Sequence, residues 1–115
     1  MTETADCLFC RIASGEIPAD VVLATDDTVA FRDLAPQAPT HVLVVPRQHH
    51  RDIAALASAD PALAGRLMAD VARVASDLGL AEFRMVLNTG ATAGQSVFHV
   101  HAHVLAGRDF GWPPG

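Results

Sequence analysis

Apolar positions recur along this chain in two different periods. From Leu63, the residues Leu67, Val71, Val74 and Leu78 follow at steps of four, four, three and four. That spacing predicts one face of an amphipathic helix. Asp60 suits its N-cap, Pro61 its first helical position and Gly79 its C-terminal cap. Elsewhere short β-rich runs prevail. Residues 21–25 and 28–33, around Asp26-Asp27, predict a hairpin. Residues 41–45, closed by Pro46, predict a buried strand. Residues 83–88 and 96–105 predict two more strands, joined by a glycine-containing turn over 89–94. Residues 7–14 predict a short helix closed by Gly15. Strands, one long helix and no repeated βαβ alternation define an α+β fold: an antiparallel sheet with one long and one short N-terminal helix.

The last predicted strand carries His99-Val100-His101-Ala102-His103-Val104. Residues two apart on a strand share a face, about 7 Å apart. Three imidazoles therefore line one face, and Val100, Ala102 and Val104 pack behind them. Imidazole titrates near neutral pH, so such a row offers nucleophilic, proton-transferring or metal-binding nitrogens. A pure metal cluster and a merely polar strand face are the competing readings.

Composition narrows the field. At 115 residues, half of them hydrophobic, the chain predicts one domain (residues 1–115) with its own core. No apolar run approaches the roughly 20 residues that span a bilayer. The start, residues 1–6, has neither the basic residues nor the apolar stretch of an export signal, which places the chain in the cytoplasm. A net charge of −5 without a Lys/Arg cluster argues against nucleic-acid binding. A small phosphate ligand stays open.

Candidate chemistry gathers around the histidines. A histidine nucleophile needs one nitrogen free and the other fixed by a hydrogen bond, and His101 is the central candidate. Upstream, Gly94 permits close backbone approach while Gln95 and Ser96 supply uncharged donors, suited to an acceptor building negative charge. When each is taken alone, an ordinary turn explains that triplet, and Asn88, better than a site does; beside the histidine row the triplet gains weight. Asp33, before a loop fixed by Pro36 and Pro39, can hold a ribose diol or simply initiate a turn. Cys7 and Cys10 form a C-x-x-C pair, which without an export signal points to metal or redox chemistry; two buried thiols are the alternative. Two histidines would complete a tetrahedral Cys2His2 zinc site, brought together by the fold because none lies nearby in sequence.

These residues resemble a known family. The His99–Val104 alternation is similar to the signature of the histidine-triad superfamily. Ile17-Pro18-Ala19, Phe31-Arg32-Asp33, Gln37-Ala38-Pro39-Thr40-His41, Val44-Val45-Pro46, Gly94-Gln95-Ser96-Val97 and Trp112-Pro113-Pro114-Gly115 resemble its nucleotide-binding (Hint) branch. The resemblance implies a homodimer that binds purine nucleotides and hydrolyses nucleoside phosphoramidates or aminoacyl-adenylates. It implies His101 as the nucleophile that becomes nucleotidylated, with His103 and Ser96 on the phosphate or the leaving amine. It implies Asn88, Gly94 and Gln95 around the phosphate, Asp33 on the ribose, and Phe9, Phe31 and Leu34 around the base. His41 matches an orienting histidine, and Trp112 belongs to a tail that approaches the neighbouring active site. The cysteine pair resembles zinc-containing members, which implies a structural zinc on Cys7, Cys10, His49 and His99, with adjacent His50 competing for the third place. A dinucleoside polyphosphate hydrolase, a nucleotidyltransferase and a nucleotide-binding regulatory or scaffold protein are the alternative functions.

Overall fold

The computed structural model describes residues 6–115; residues 1–5, most of the segment read for an export signal, lie outside the described residues. Among the described residues the strands are β1 Val21–Ala24, β2 Thr28–Arg32, β3 Thr40–Pro46, β4 Arg84–Val86 and β5 Ala102–Ala106. They form one sheet in the order β1-β2-β3-β5-β4, every neighbouring pair antiparallel. The helices are α1 Leu8–Ala13, α2 Ile53–Ala59 and α3 Pro61–Asp77.

The run His41-Val42-Leu43-Val44-Val45 explains why β3 sits at the centre. Strand alternation sends Val42 and Val44 to one face and Leu43 and Val45 to the other, and both faces are covered. On the first face Leu63, Leu67, Val71 and Val74 of α3 pack against Ala30, Val42, Val44, Val100, Ala102 and Val104. Burying each such Leu or Val contributes about 1.5–3 kcal/mol. On the second face α1 brings Phe9 and Ala13 against Val29, Phe31, Leu43 and Val45. Helix α1 has only six residues, too few to cover that face, and a cleft remains beside it.

The ends of α3 follow the sequence signals. The Asp60 side chain accepts from the Leu63 N–H at 3.0 Å. Beyond the helix, Gly79 adopts φ +70°. Its N–H donates to the Ser76 carbonyl and that of Leu80 to the Ala75 carbonyl, the paired bonds of a Schellman ending.

Three expectations are corrected. Helix α2 was not foreseen: only Leu56 of its seven residues is buried, so no apolar period shows, although Asp52 caps it by accepting from the Ala55 N–H at 2.8 Å. Strand β4 is shorter than 83–88. Most importantly, the histidine strand begins at Ala102 rather than at residue 96. The bonding groups of the preceding segment are spent elsewhere: Val100 N–H on the His50 carbonyl, and the His99 carbonyl on a side chain. The face alternation nevertheless holds through this irregular stretch, with Val100, Ala102 and Val104 in the α3 core and His99 and His101 against Phe9.

Candidate active site and metal centre

The histidine row divides into two sites. His99, fully buried, donates from Nε2 to the Pro46 carbonyl at 2.8 Å. A neutral imidazole with its proton on Nε2 has a bare Nδ1. That nitrogen lies 3.3 Å from Cys7 Sγ, 3.4 Å from Cys10 Sγ and 3.2 Å from His49 Nδ1. His49 Nδ1 is also 3.5 Å from Cys10 Sγ. Cys7 caps α1 and Cys10 lies in its first turn, so the helix itself pairs the sulfurs, and the Cys10 N–H donates to Cys7 Sγ at 3.4 Å.

Those separations suit a metal ion. With bonds of about 2.0–2.3 Å to nitrogen and sulfur, a tetrahedral ion needs donor–donor edges of about 3.3–3.8 Å. The protonation states agree. Burial pushes His99 down to about 4, more strongly than the Pro46 hydrogen bond raises it, so its ligating nitrogen is bare at neutral pH. Burial also pushes the Cys10 thiol up to about 11, with Cys7 adding to the rise; a coordinated cation reverses this, because it ionises the thiol outright. Of the two adjacent histidines, His49 joins the group able to hold a metal: the donor atoms of Cys7, Cys10, His49 and His99 lie within 4.8 Å of one another.

The second site is the cleft beside α1, about 270 Å3, lined by Phe9, Phe31, Asp33, Leu34, Ser96, His101 and His103 among others. Phe9 packs edge-on against both Phe31 and His101, with centroids 5.5 and 5.0 Å away. His101 donates from Nδ1 to the His99 carbonyl at 2.8 Å, which leaves Nε2 as a lone pair. Burial lowers the His101 pKa, against the His99 hydrogen bond and the Asp33 charge, so the ring is neutral at pH 7.

A hydrogen-bond relay stands behind His103. The Gln37 N–H donates to His41 Nδ1 at 3.0 Å, so the His41 proton lies on Nε2. His41 Nε2 donates in turn to His103 Nδ1 at 2.9 Å, with Asp33 Oδ2 at 3.5 Å. His103 therefore carries its own proton on Nε2. Burial, His101 and His41 push His103 down to about 4, against the Asp33 charge; burial likewise lowers His41, opposed by Asp33. Asp33, His41 and His103 are close enough to hold a metal, but His41 Nε2 is protonated and cannot ligate. The histidine row is thus not one metal cluster.

Several expected residues take different positions. Asp33 reconciles its two readings: Oδ1 accepts from the Ala35 N–H at 2.8 Å and holds the turn, while the residue also lines the cleft. Gln95 is buried, and its amide is committed to the loop, accepting from Gly90 N–H and donating to the Arg51 and Val97 carbonyls. Asn88 lies against Gly94, whose φ of +106° favours glycine. Neither Asn88 nor Gly94 lines the cleft. Trp112 is 84% exposed and also outside it. Ile12, Leu43, Ile17 and Pro18 also line the apolar wall, at positions the sequence does not mark as site residues. The turn after α1 was the available signal. A larger open hollow of about 470 Å3, between residues 82–84 and 107–110, contains none of the histidines.

A cleft lined by a neutral imidazole, beside a Cys2His2 set able to hold a metal, sits on a five-stranded antiparallel sheet. The chain belongs to the HIT domain family, whose match covers residues 14–110. An uncharacterized HIT-like protein of Synechocystis is 47% identical over 96% of this chain and 97% of its own length. The adenylylsulfatase HINT1 of Arabidopsis thaliana is 43% identical over 94% of this chain and 76% of its own. Among solved structures, a HIT family hydrolase of Legionella pneumophila superposes with a TM-score of 0.91 at 44% identity, covering 96% of this chain and all of that one. A histidine triad nucleotide-binding protein of Candida albicans follows at 0.82 and 29%, covering 94% and 83%.

Proposed function

We propose that this chain is a nucleotide hydrolase that cleaves the P–N bond of purine nucleoside 5′-phosphoramidates, or the equivalent bond of aminoacyl-adenylates, through a nucleotidyl-His101 intermediate. One observation carries the reading: the His101 Nδ1–H is tied to the His99 carbonyl, leaving Nε2 bare in the cleft. That is the state a histidine nucleophile requires.

In the first step Nε2 attacks the α-phosphorus as the P–N bond breaks, and the amine departs with a proton from solvent. Water then cleaves the nucleotidyl–His101 bond, yielding the nucleoside monophosphate and a proton and restoring the imidazole. The His103 Nε2–H and the Ser96 hydroxyl donate to phosphoryl oxygen as charge develops. Asp33 holds the ribose hydroxyls, and Phe9, Phe31 and Leu34 hold the base. Gln95 and Asn88 brace the loop that carries Ser96, and Gly94 lets it turn. His41 orients His103.

The metal is zinc, which closes four positions with Cys7, Cys10, His49 and His99 and thereby fixes the His99 segment; a site without an open position is structural. The chain works as one domain in a homodimer: Phe83, Met85 and Trp112 leave apolar surface at the β4 edge and tail for a second copy to cover, and the tail would reach the partner's cleft. Two cysteines held outside any disulfide suit the reducing cytoplasm. Among the described residues no helix is long and apolar enough to cross a membrane.

A second reading, hydrolysis of adenylyl sulfate through the same intermediate, draws on the name of the Arabidopsis relative. Intact-mass analysis after rapid quenching tests both, with adenosine 5′-phosphoramidate, adenylyl sulfate and diadenosine polyphosphate offered in parallel to wild type and His101→Ala. An adenylyl adduct and AMP from the phosphoramidate, both lost in His101→Ala, is the expected result. Faster turnover of another substrate shifts the class, and turnover by His101→Ala removes the nucleophile assignment.

A further inference from the structure

The relay behind His103 does not end at His41. Its last donor is the main-chain N–H of Gln37, and the carbonyl of the same residue accepts from Arg108 Nε at 3.0 Å. Arg108 follows β5 and does not line the cleft. Its guanidinium stacks on the Phe110 ring at 4.2 Å, and its Nη1 donates to the Asp109 carbonyl at 3.0 Å. Arg84 lies over the same ring at 5.2 Å and anchors the tail separately through the Gly111 carbonyl at 3.0 Å. Arg108 thus holds the peptide unit that follows Gln37, and the N–H of the unit before it donates to His41, which donates to His103; the Gln37 Cα joins the two.

The polarity of this chain matters. Neutral imidazole has one donor and one acceptor, and backbone N–H only donates. While the Gln37 N–H points at His41 Nδ1, His41 donates from Nε2 and His103 keeps its own proton on Nε2. If the Gln37 N–H moves away, His41 is free to take its proton on Nδ1. The His41–His103 bond then reverses, the His103 proton moves to Nδ1, and His103 Nε2 becomes a lone pair. Facing an anionic phosphoryl oxygen, a lone pair repels where an N–H attracts.

We propose that Arg108 is a positioning residue that, by fixing the Gln37 carbonyl, sets the Gln37 backbone with its N–H on His41 and so keeps His103 as a hydrogen-bond donor toward the phosphoryl group. This rests on the proposed hydrolase reading for its kinetic consequence, but not for its structural one. The groups facing His103 are His41, His101 and Asp33, and none of them is touched by changing Arg108.

The test is 15N NMR of histidine-labelled protein, which distinguishes protonated from bare ring nitrogens without substrate. It is run on wild type, Arg108→Met and Arg84→Met, with turnover and thermal melting alongside. Met keeps an apolar stem against Phe110 and removes every donor. Wild type is expected to show His41 and His103 both protonated on Nε2. Arg108→Met is expected to shift both toward the Nδ1–H form, leave His101 on Nδ1–H, and lower kcat about tenfold with KM within twofold, below the loss typical when an oxyanion donor is deleted outright. Arg84→Met, which cuts the other tail anchor, is expected to keep the wild-type pattern. Unchanged tautomers in Arg108→Met, the opposite tautomers in wild type, or an equal shift in Arg84→Met each overturn the assignment. If wild type turns over no phosphoramidate, the hydrolase reading fails by itself and the tautomers still decide this one.

Discussion

His101 takes its orientation from the carbonyl of His99, 2.8 Å from its Nδ1. The same His99 is clamped at both ring nitrogens, by the Pro46 carbonyl at Nε2 and by the sulfur-rich cluster at Nδ1. The candidate metal ligand and the proposed nucleophile therefore share one short segment outside the regular ladder. A bound metal at Cys7, Cys10, His49 and His99 is expected to hold both.

Removing that metal should loosen the cleft as well as the fold. Chelation, or Cys10→Ser, is expected to release at most one zinc per chain and lower the melting temperature by about 10 °C, given that about 1 kcal/mol shifts a domain of this size by several degrees. Elemental analysis and calorimetry provide the check. Two equivalents of zinc per chain would contradict the ligand set.

The pH dependence follows from buried neutral histidines. His103 titrates near 4 in the fold, driven down mainly by burial, against the ordinary 6.5. Between those values the unfolded chain binds more protons than the folded one, so stability rises with pH there. His103 thus contributes stability that is present above about pH 6.5 and is lost as pH falls toward 4; His41 and His101, also lowered, act in the same direction. Urea titrations from pH 4 to 8 should show this slope. A flat profile would mean that folding leaves these pKa values at their ordinary level.

Much of this was legible in the chain. The four-four-three-four apolar steps of α3, its Asp60 cap and its Gly79 ending are local signals, and the structure reproduces each. The alternation around His101 also survived, because core burial of Val100 imposes it ahead of β5, where strand hydrogen bonds are absent. What could not be read was nonlocal. No local pattern says that Gln95 spends its amide on Arg51 and Val97, or that the Gln37 N–H sets the tautomer of His41. Helix α2 was missed because one buried leucine makes no period. The choice of His49 over His50 needed three-dimensional proximity to two sulfurs.

Leu67, fully buried in the α3 face, provides a test of the core apart from the site. Leu67→Ala is expected to cost about 2–5 kcal/mol in denaturant unfolding and to leave the KM of the folded protein unchanged. A cost below about 1 kcal/mol would mean that α3 contributes little to holding the sheet.

The exposed apolar residues Phe83, Met85 and Trp112 lead to an expected dimer mass by light scattering at micromolar concentration. Met85→Glu should shift that mass toward the monomer. A wild-type monomer would refute the dimer and, with it, the role assigned to Trp112 in a partner's cleft.

Asp33 is the carboxylate that opposes the lowered pKa values of His41, His101 and His103, and it also lines the cleft where a ribose would sit. Asp33→Asn separates these roles. The amide oxygen can still accept from the Ala35 N–H, so the turn is kept, but the negative charge is gone. Losing an opposing charge lowers the three histidine pKa values further, so the acidic limb of the kcat/KM profile should move to lower pH. Losing a charged acceptor for ribose hydroxyls, typically about 1.5–3 kcal/mol, should raise KM by about tenfold or more. A 2′,3′-dideoxy substrate should then discriminate little between wild type and variant. If the acidic limb stays in place while KM rises, Asp33 serves the ribose alone. If KM stays and the limb moves, its charge serves the histidines and the ribose contact lies elsewhere in the cleft.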